Sequence, residues 1–390
     1  MTSVKHFHSA MPGAPNLTGQ AGSLIAVLDA CLVNGFGLQT ASSVVVAGGV
    51  ATVTLPAAHP FDVDTIALLA GASTSAINGE KRATSRTSSA FTFASPGVPD
   101  GTIAGTITVR LAPAGWAKPF TGTNLAAYRS SDVTGTRYFL RVNDTNAQNA
   151  RVVGFENMTD ISTGVGKFPS DAQQSGGAWW PTADSANSTP RAWTLVADGR
   201  TFWLHMQTSS ANPGAGGSVW GFGDFTSYKS GDAFACALQA AASDQASSSS
   251  GVLQSVEYVG QSPVAGLFAP RSFTAIGSAV AIHHCGESYV ANAGTSGTAL
   301  SSSVPVYPNG PNNALIFTRK VLTEPNVALR GLSRGVLFPV QNCHETFAWR
   351  DKVAGQGDFA GRQLLAVKCG GPAVTSSAGV MFFDITGPWS

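Results

Sequence analysis

The sequence predicts a mainly β protein, with several antiparallel β-sandwich or barrel domains in series and one α-helix near the start. Short β-branched or aromatic runs recur about every eight to twelve residues, separated by Gly, Ser, Thr, Asn and Pro. One stretch alone has apolar residues at convincing helical spacing. No fixed-period repeat is visible, which disfavours a propeller or a solenoid.

Composition limits the function classes. The chain has 390 residues, enough for roughly two or three domains with sizeable cores. Charged residues make up only 12%, against about a quarter in an ordinary globular protein. A surface this poor in charge is typical of Ser/Thr-rich particle proteins or of subunits buried in an oligomer. The net charge of +1, with no run of Lys or Arg, gives no basic field for nucleic acid.

The cysteines and the N-terminus indicate where the chain folds. Five scattered cysteines lack the density of a disulfide scaffold, so we interpret them as reduced, mostly buried thiols. Residues 1–8 have no apolar core and are not a signal peptide. The charge-free span 31–60 is interrupted by Gly and Ser and alternates, unlike a membrane helix. We expect synthesis in a cytoplasm and, for a protein that works outside the cell, release through lysis or inside a particle.

Residues 1–41 are predicted to be an attachment element. Pro and Gly within 1–22 favour an extended arm, not a packed element. Over 22–35 the apolar residues share one helical face, and Gly35 ends the helix. This face is expected to make an assembly contact, or alternatively to plug the end of a β-domain. The residues assigned to that contact are Leu24, Ile25, Leu28 and Leu32.

The remaining chain is predicted to hold three β-rich domains. Residues 42–112 form a small β-sandwich domain that begins with a hairpin over 43–55. Residues 113–250 form a β-rich domain with a hairpin over 191–206 and a long loop over 164–190. Such a loop usually functions or packs against a partner. A C-terminal β-rich domain is expected over 251–390.

Two groups of histidines suggest metal binding. His6 and His8 alternate with Phe7 and would share one strand face, as a metal site or as a polar surface. The second group could supply a tetrahedral zinc site, but its spacing is not that of a zinc finger or ribbon. Ordinary packed residues at two strand ends are the alternative, and no cofactor is predicted. The candidate metal ligands are His283, Cys285, Cys343 and His344.

No sequence pattern argues well for catalysis. Residues 331–335 match the nucleophile-elbow pattern around Ser333, which needs a helix after it. Pro339 would break that helix, so a turn between strands is preferred. Asp62 and Asp64 could form a carboxylate pair, although a solvated strand edge explains them better. We therefore expect that the protein is not an enzyme.

Aromatic residues are concentrated over 179–222. Exposed Trp side chains there could form a platform for a glycan, whereas the alternative is a core or a subunit interface. Trp193 and Trp203 flank an Asp-Gly hairpin tip and are expected to pair across it. The candidate glycan-binding residues are Trp179, Trp180 and Trp220, the first two being the best candidates for exposure.

Several segments carry a resemblance. Residues 24–37 read Leu-Ile-Ala-Val-Leu-Asp-Ala-Cys-Leu-Val-Asn-Gly-Phe-Gly, and residues 59–71 read His-Pro-Phe-Asp-Val-Asp-Thr-Ile-Ala-Leu-Leu-Ala-Gly. The first is similar to the N-terminal segment of tailed-bacteriophage and prophage tail proteins, and the second resembles a small β-domain of that group. Further similar segments are Ile77–Gly79, Phe91–Phe93, Gly221–Phe225, Arg330–Pro339 and Asp384–Trp389.

The resemblance implies a virion structural protein of the tail or its tip, and it does not distinguish a ring component, a fibre anchor or a receptor-binding part. We expect a tail-tip, baseplate or fibre-anchor protein that assembles as a symmetric homo-oligomer. The alternative is a receptor- or glycan-binding tail protein used in host adsorption. The implied partners are further copies, other tail proteins, and a host-surface glycan or receptor, without nucleic acid or membrane insertion. The implied location is the virion tail, after synthesis in the host bacterial cytoplasm.

Overall fold

The computed structural model confirms the mainly β prediction. Within the residues that it describes, 29 β-strands follow one another, with one α-helix continued by a π-helix and two short 3-10 helices. In the same part of the chain, no helix is long and apolar enough to cross a membrane. The described residues are 3–210, 216–241, 265–285, 307–341, 343, 345–369 and 379–389.

The N-terminal segment contains a strand and the helix. Strand β1 spans Lys5–His8, helix α1 spans Ser23–Leu28, and the π-helix continues over Asp29–Asn34. Gly35, with φ of 70°, ends the helical segment, as the sequence predicts. The helical segment therefore covers the expected stretch, although its second half is wound more loosely than an α-helix.

Nine strands between residues 39 and 111 form two antiparallel sheets, in the orders β7-β8-β4-β3-β9 and β2-β10-β5-β6. Both sheets contribute to one apolar core. A 3-10 helix over Ser75–Ile77 joins β5 to β6. The strands are β2 (Gln39–Thr40), β3 (Ser43–Ala47), β4 (Val50–Thr54), β5 (Ile66–Ala70), β6 (Gly79–Arg82), β7 (Ser85–Arg86), β8 (Ala90–Ala94), β9 (Gly101–Thr102) and β10 (Thr108–Leu111).

These two sheets, here called the small sandwich, are buried on one face. Along β3 and β4, buried and more accessible residues alternate, as expected for strands that cover a core on one side. The β3–β4 hairpin pairs Ala47 with Val50 around a Gly-Gly turn, which confirms the predicted hairpin. Phe61 and Phe91 meet inside, with ring centroids 4.5 Å apart.

The other strands come from residues 116 to 384, and the second 3-10 helix spans Gly357–Phe359. They are β11 (Trp116–Gly122), β12 (Leu125–Ser130), β13 (Phe139–Asn143), β14 (Asn149–Phe155), β15 (Asn157–Met158), β16 (Gly164–Val165), β17 (Ala178–Pro181), β18 (Trp193–Ala197), β19 (Thr201–Met206), β20 (Ser218–Asp224), β21 (Thr226–Ser227), β22 (Cys236–Ala241), β23 (Ala265–Ala269), β24 (Val280–Cys285), β25 (Phe317–Glu324), β26 (Ala328–Pro339), β27 (Lys352–Ala354), β28 (Gln363–Cys369) and β29 (Gly379–Asp384).

Eighteen strands join in one hydrogen-bonded network that folds into three layers. The first layer comprises β11 to β14 and β17. The middle layer comprises β1, β18, β19, β20 and β22, and the third comprises β25, β26, β28 and β29. The network is continuous through β22, β23, β24 and β25, which pair in succession.

The middle layer is buried on both faces. Leu195 and Phe202 pack with the first layer in one cluster, whereas Val196 and Trp203 pack with the third layer in another. Every residue of β18, β19 and β20 is consequently buried. This sheet is the structural centre of the molecule.

Part of the expected free arm is a strand of the middle layer. β1 pairs antiparallel with β18, from Lys5 opposite Ala197 to His8 opposite Thr194. The prediction of an unpacked arm over 1–22 is therefore wrong for this strand. The physical reason is that Phe7 enters the core while the backbone satisfies the hydrogen bonds of a sheet edge.

Candidate functional site

The residues assigned to assembly lie mostly inside their own chain. Leu24, Leu28 and Leu32 are fully buried in the main apolar cluster, and Ile25 is half-buried against it. This corrects the predicted assembly contact for the three leucines, because a fully buried side chain has no surface left for a partner. The observed packing agrees with the alternative, a helix that plugs a β-domain.

The tryptophan platform is likewise corrected. Trp180 and Trp220 are fully buried, and the Trp180 indole N–H donates to the Gln239 carbonyl at 2.8 Å. Trp179 is half-buried, and the Arg151 guanidinium lies 3.9 Å from its ring centroid. Of the three candidates, only Trp179 reaches the surface, so they do not form a flat platform.

Trp193 and Trp203 do not pair across their hairpin. In the β18–β19 register, Trp193 lies opposite Met206 and Trp203 lies opposite Val196. The two indoles therefore point to opposite faces of the middle layer, one into each core. The predicted Asp-Gly hairpin is confirmed, but the prediction that the two tryptophans lie on the same face of it is wrong.

The predicted zinc site stays a prediction. His283 is half-buried on β24, and Cys343 is buried among apolar side chains, where burial raises the pKa of its thiol to about 12. The side chain of Cys285 and the whole of His344 lie outside the described residues. Among the residues that are described, no three His, Cys, Asp or Glu side chains are arranged to hold a metal ion.

The cysteines that can be described are free thiols, as predicted. Burial raises the pKa of the Cys31 and Cys236 thiols well above the ordinary value. Such protonated, enclosed thiols are unreactive. The free, buried cysteines are Cys31, Cys236, Cys343 and Cys369.

Ser333 lies within strand β26, not in a turn between strands. Its hydroxyl is 3.1 Å from Nε2 of His284, and both residues are buried. The adjoining cavity measures about 20 Å³, which is room for a water molecule. The Ser-His contact is therefore part of the packing between strands and has no space for a substrate.

A larger cavity, of about 310 Å³, lies where the N-terminal strand, the small sandwich and the C-terminal region meet. We call it the junction cavity. β1 places His6 and His8 on its wall and Phe7 in the core on the other side. The alternation of these three residues predicts this arrangement from the sequence.

The other walls come from distant parts of the chain. The small sandwich supplies His59, Asp62 and Arg86. The turn before β27 supplies Arg350, held at φ of 73°, and the first residue of β27 supplies Lys352. The Lys352 ammonium also donates to the Val63 carbonyl, which ties the two regions together.

Positive charge exceeds negative charge on this wall. Asp62 is the one carboxylate among the lining residues, and it lies 3.6 Å from Lys352 and 4.0 Å from Arg86. Arg350 instead donates to Nδ1 of His8 at 2.9 Å and covers the Trp349 ring, with 4.5 Å to the centroid. Since Nδ1 accepts this bond, the proton of neutral His8 lies on Nε2.

The histidines of the cavity are neutral at physiological pH. Burial, followed by the charge of Lys352, holds the pKa of His6 well below its ordinary value. Burial and then Arg350 lower the pKa of His8 to about 4. Burial lowers that of His59 as well. The three arginine and lysine side chains thus remain the cations of the cavity.

Several buried polar atoms at this wall lack a protein partner. Within the described residues, Nδ1 of His6 and both ring nitrogens of His59 make no hydrogen bond, and neither does the indole nitrogen of Trp349. His6 is 2% exposed and His59 is 5% exposed. Buried polar groups normally have partners, so this concentration is unusual.

Sequence reasoning identified the histidines on β1 but missed the cations. Arg86 lies on β7, whereas Arg350 and Lys352 lie two residues apart around the start of β27, and neither segment carries a recognisable motif. Only the packing of the C-terminal turn against the small sandwich brings them together. A sequence pattern could not have grouped them.

Comparisons with known proteins do not add an assignment. No protein-family model matches the chain, and no curated protein sequence matches it.

Proposed function

We propose that the chain is a structural component of a bacteriophage virion, in the tail or tail tip, and that it assembles as a symmetric homo-oligomer. The role is non-enzymatic. The resemblance of residues 24–37 and 59–71 to phage tail proteins supports this proposal. The low charge, 12% of residues, is also what a protein surface covered by neighbours requires.

The observation that carries the assembly proposal is an exposed apolar surface at one edge of the fold. Five large apolar side chains there are 37% to 75% exposed. Exposed apolar patches of this kind mark protein interfaces. We call this surface the edge patch, and its residues are Tyr228, Phe273, Ile276, Val327 and Leu329.

Backbone contacts bring the edge patch together from three segments. The Tyr228 N–H donates to the Arg330 carbonyl at 2.9 Å, beside Leu329. The Lys229 ammonium donates to the Phe273 carbonyl at 2.7 Å. These bonds place Tyr228, Phe273 and Leu329 close to the β21–β26 pair, and Ile276 and Val327 follow nearby in the sequence. We assign a second copy of the chain as the partner of this edge.

The alternative, receptor or glycan binding in host adsorption, requires a different surface from the one the sequence suggests. Trp180 and Trp220 lie in the core. Trp179 alone, beneath Arg151, offers too little aromatic area for a platform. This alternative therefore has weaker support than assembly.

The test combines native mass measurement of the purified protein with imaging of phage particles. We expect a symmetric oligomer in solution and the same assembly in the tail. Leu329→Glu should shift the protein toward monomer, because it places a charge in the apolar contact. Val133→Glu is the matched control, since Val133 is 77% exposed outside the edge patch and should leave the mass unchanged.

Two results would contradict the proposal. A wild-type protein that stays monomeric and is missing from purified particles would overturn it. Equal dissociation by Leu329→Glu and Val133→Glu would remove the edge patch as the contact. A trimer that projects from the tail tip would instead favour the receptor-binding alternative.

A further inference from the structure

We infer that the junction cavity binds a small anionic ligand through a carboxylate, phosphate or sulfate group, and that Arg350, Lys352 and Arg86 hold it. This inference does not depend on the proposed function. The chemistry of the cavity wall carries it.

The wall of the junction cavity carries more positive than negative charge. Three cations share Asp62 as the only carboxylate on the wall. Asp62 is placed toward Lys352 and Arg86, whereas Arg350 has a histidine and an indole ring as its neighbours. Arg350 and Lys352 are partly buried on this wall, and an anion in the cavity would supply the negative charge that Asp62 alone does not provide. Arginine is suited to this because its planar fork binds carboxylate and phosphate oxygens in pairs.

Several enclosed polar atoms beside the cavity wall also lack a partner in the described part of the chain. Nδ1 of His6, the ring nitrogens of His59 and the indole N–H of Trp349 have no partner among the described residues. An indole N–H can only donate, and a neutral imidazole donates through one nitrogen. An unpaired N–H beside the wall adds to its positive potential, but these nitrogens are enclosed, and the cations on the wall are the groups that contact the ligand.

The size and the geometry narrow the ligand class. A volume of about 310 Å³ is at the lower end of the range for small-molecule sites. The wall therefore suits a small molecule that carries one anionic group. A metal cation fits poorly, because the wall is already positive and the described side chains form no metal-binding cluster.

The test is calorimetric titration of the full chain with sodium sulfate, phosphate and acetate at matched ionic strength in chloride. We expect saturable binding at one site per chain. Arg350→Gln should weaken it at least tenfold, and Arg86→Gln severalfold. Arg86 is half-exposed, so its replacement should leave the fold intact. A loss of binding in this variant can therefore be attributed to the lost cation. Arg110→Gln, on β10 outside the cavity, is the matched control and should leave the affinity unchanged.

The outcomes distinguish the ligand sources. Tighter binding of sulfate and phosphate than of acetate supports a phosphoryl or sulfuryl ligand, and the reverse supports a carboxylate. Absence of saturable binding for all three anions would overturn the inference. So would wild-type affinity in both Arg350→Gln and Arg86→Gln. In crystals grown with selenate, anomalous signal inside the junction cavity supports the site, and signal at other positions alone counts against it.

Discussion

The small sandwich and the middle layer are built from the same kind of antiparallel strand, but they differ in what covers them. In the small sandwich, β3 and β4 alternate between buried and accessible residues. In the middle layer, β18, β19 and β20 are buried along their whole length. One sheet is covered on one face, and the other is covered on both.

The two sheets therefore differ in how strongly packing constrains their side chains. The small sandwich keeps an accessible outer face, where substitutions should cost little. The middle layer has no such face, since the first and third layers enclose it. Its side chains are therefore constrained by packing on both sides, and we expect it to dominate stability.

A large-to-small substitution in the core should show the largest difference in stability between the two regions. Phe202 on β19 is fully buried, with its ring 5.4 Å from Trp116 and 6.0 Å from Trp180, centroid to centroid. Phe202→Ala should lower the free energy of unfolding by about 3–5 kcal/mol. Val45→Ala on the outer face of β3 should cost less than about 0.5 kcal/mol. Equilibrium denaturation in guanidinium measures both, and similar losses would show that two-sided burial is not what distinguishes the sheets.

The features that could be predicted from the sequence are those that depend on neighbouring residues. Alternation and turn residues correctly give the β3–β4 and β18–β19 hairpins, because both depend on local backbone preferences. Hydrophobic spacing likewise gives the helix over Ser23–Asn34. These features need no knowledge of distant residues.

Predictions that depend on distant residues were less successful. A continuous apolar run does not say which face meets which partner, so Trp193 and Trp203 were wrongly expected to pair. The helix face was assigned to a partner because the sequence does not show that β-strands of the same chain cover Leu24. The junction cavity gathers Arg86 and Arg350 across the whole fold, and no local pattern carries that information.

The stability of the middle layer should also depend on pH, because burial on both faces keeps one of its histidines neutral. Burial lowers the pKa of His205, in the middle layer, from 6.5 to about 4. As pH falls below 6.5 the unfolded chain takes up this proton first, so stability is complete above pH 6.5 and is lost toward pH 4. The loss from this group should approach about 3 kcal/mol.

A variant isolates that contribution. His205 donates from Nε2 to the Lys368 carbonyl at 2.7 Å, and a Gln side chain keeps a donor without titrating. Unfolding free energies at pH 7.5 and 4.5 should therefore differ less in His205→Gln than in the wild type. An unchanged pH dependence would assign the acid sensitivity to other groups, such as His8, whose pKa is also lowered to about 4.

The smallest effect concerns the helical segment, which contacts Lys118 and Tyr128 of the first layer and Asp144 after β13. Its first free amides, on Leu24 and Ile25, donate to the Asp144 carboxylate at 2.9 and 3.2 Å. Asp144→Ala removes this N-terminal cap and should cost about 1–2 kcal/mol. Burial raises the pKa of Asp144 to about 7, so the neutral side chain of Asp144→Asn should retain most of the stability.

Amide exchange across the helix should accelerate in the Ala variant while β18 to β20 stay protected. If the middle layer lost protection equally, the helix and that sheet would unfold as one unit, and the two regions would not be separable in stability.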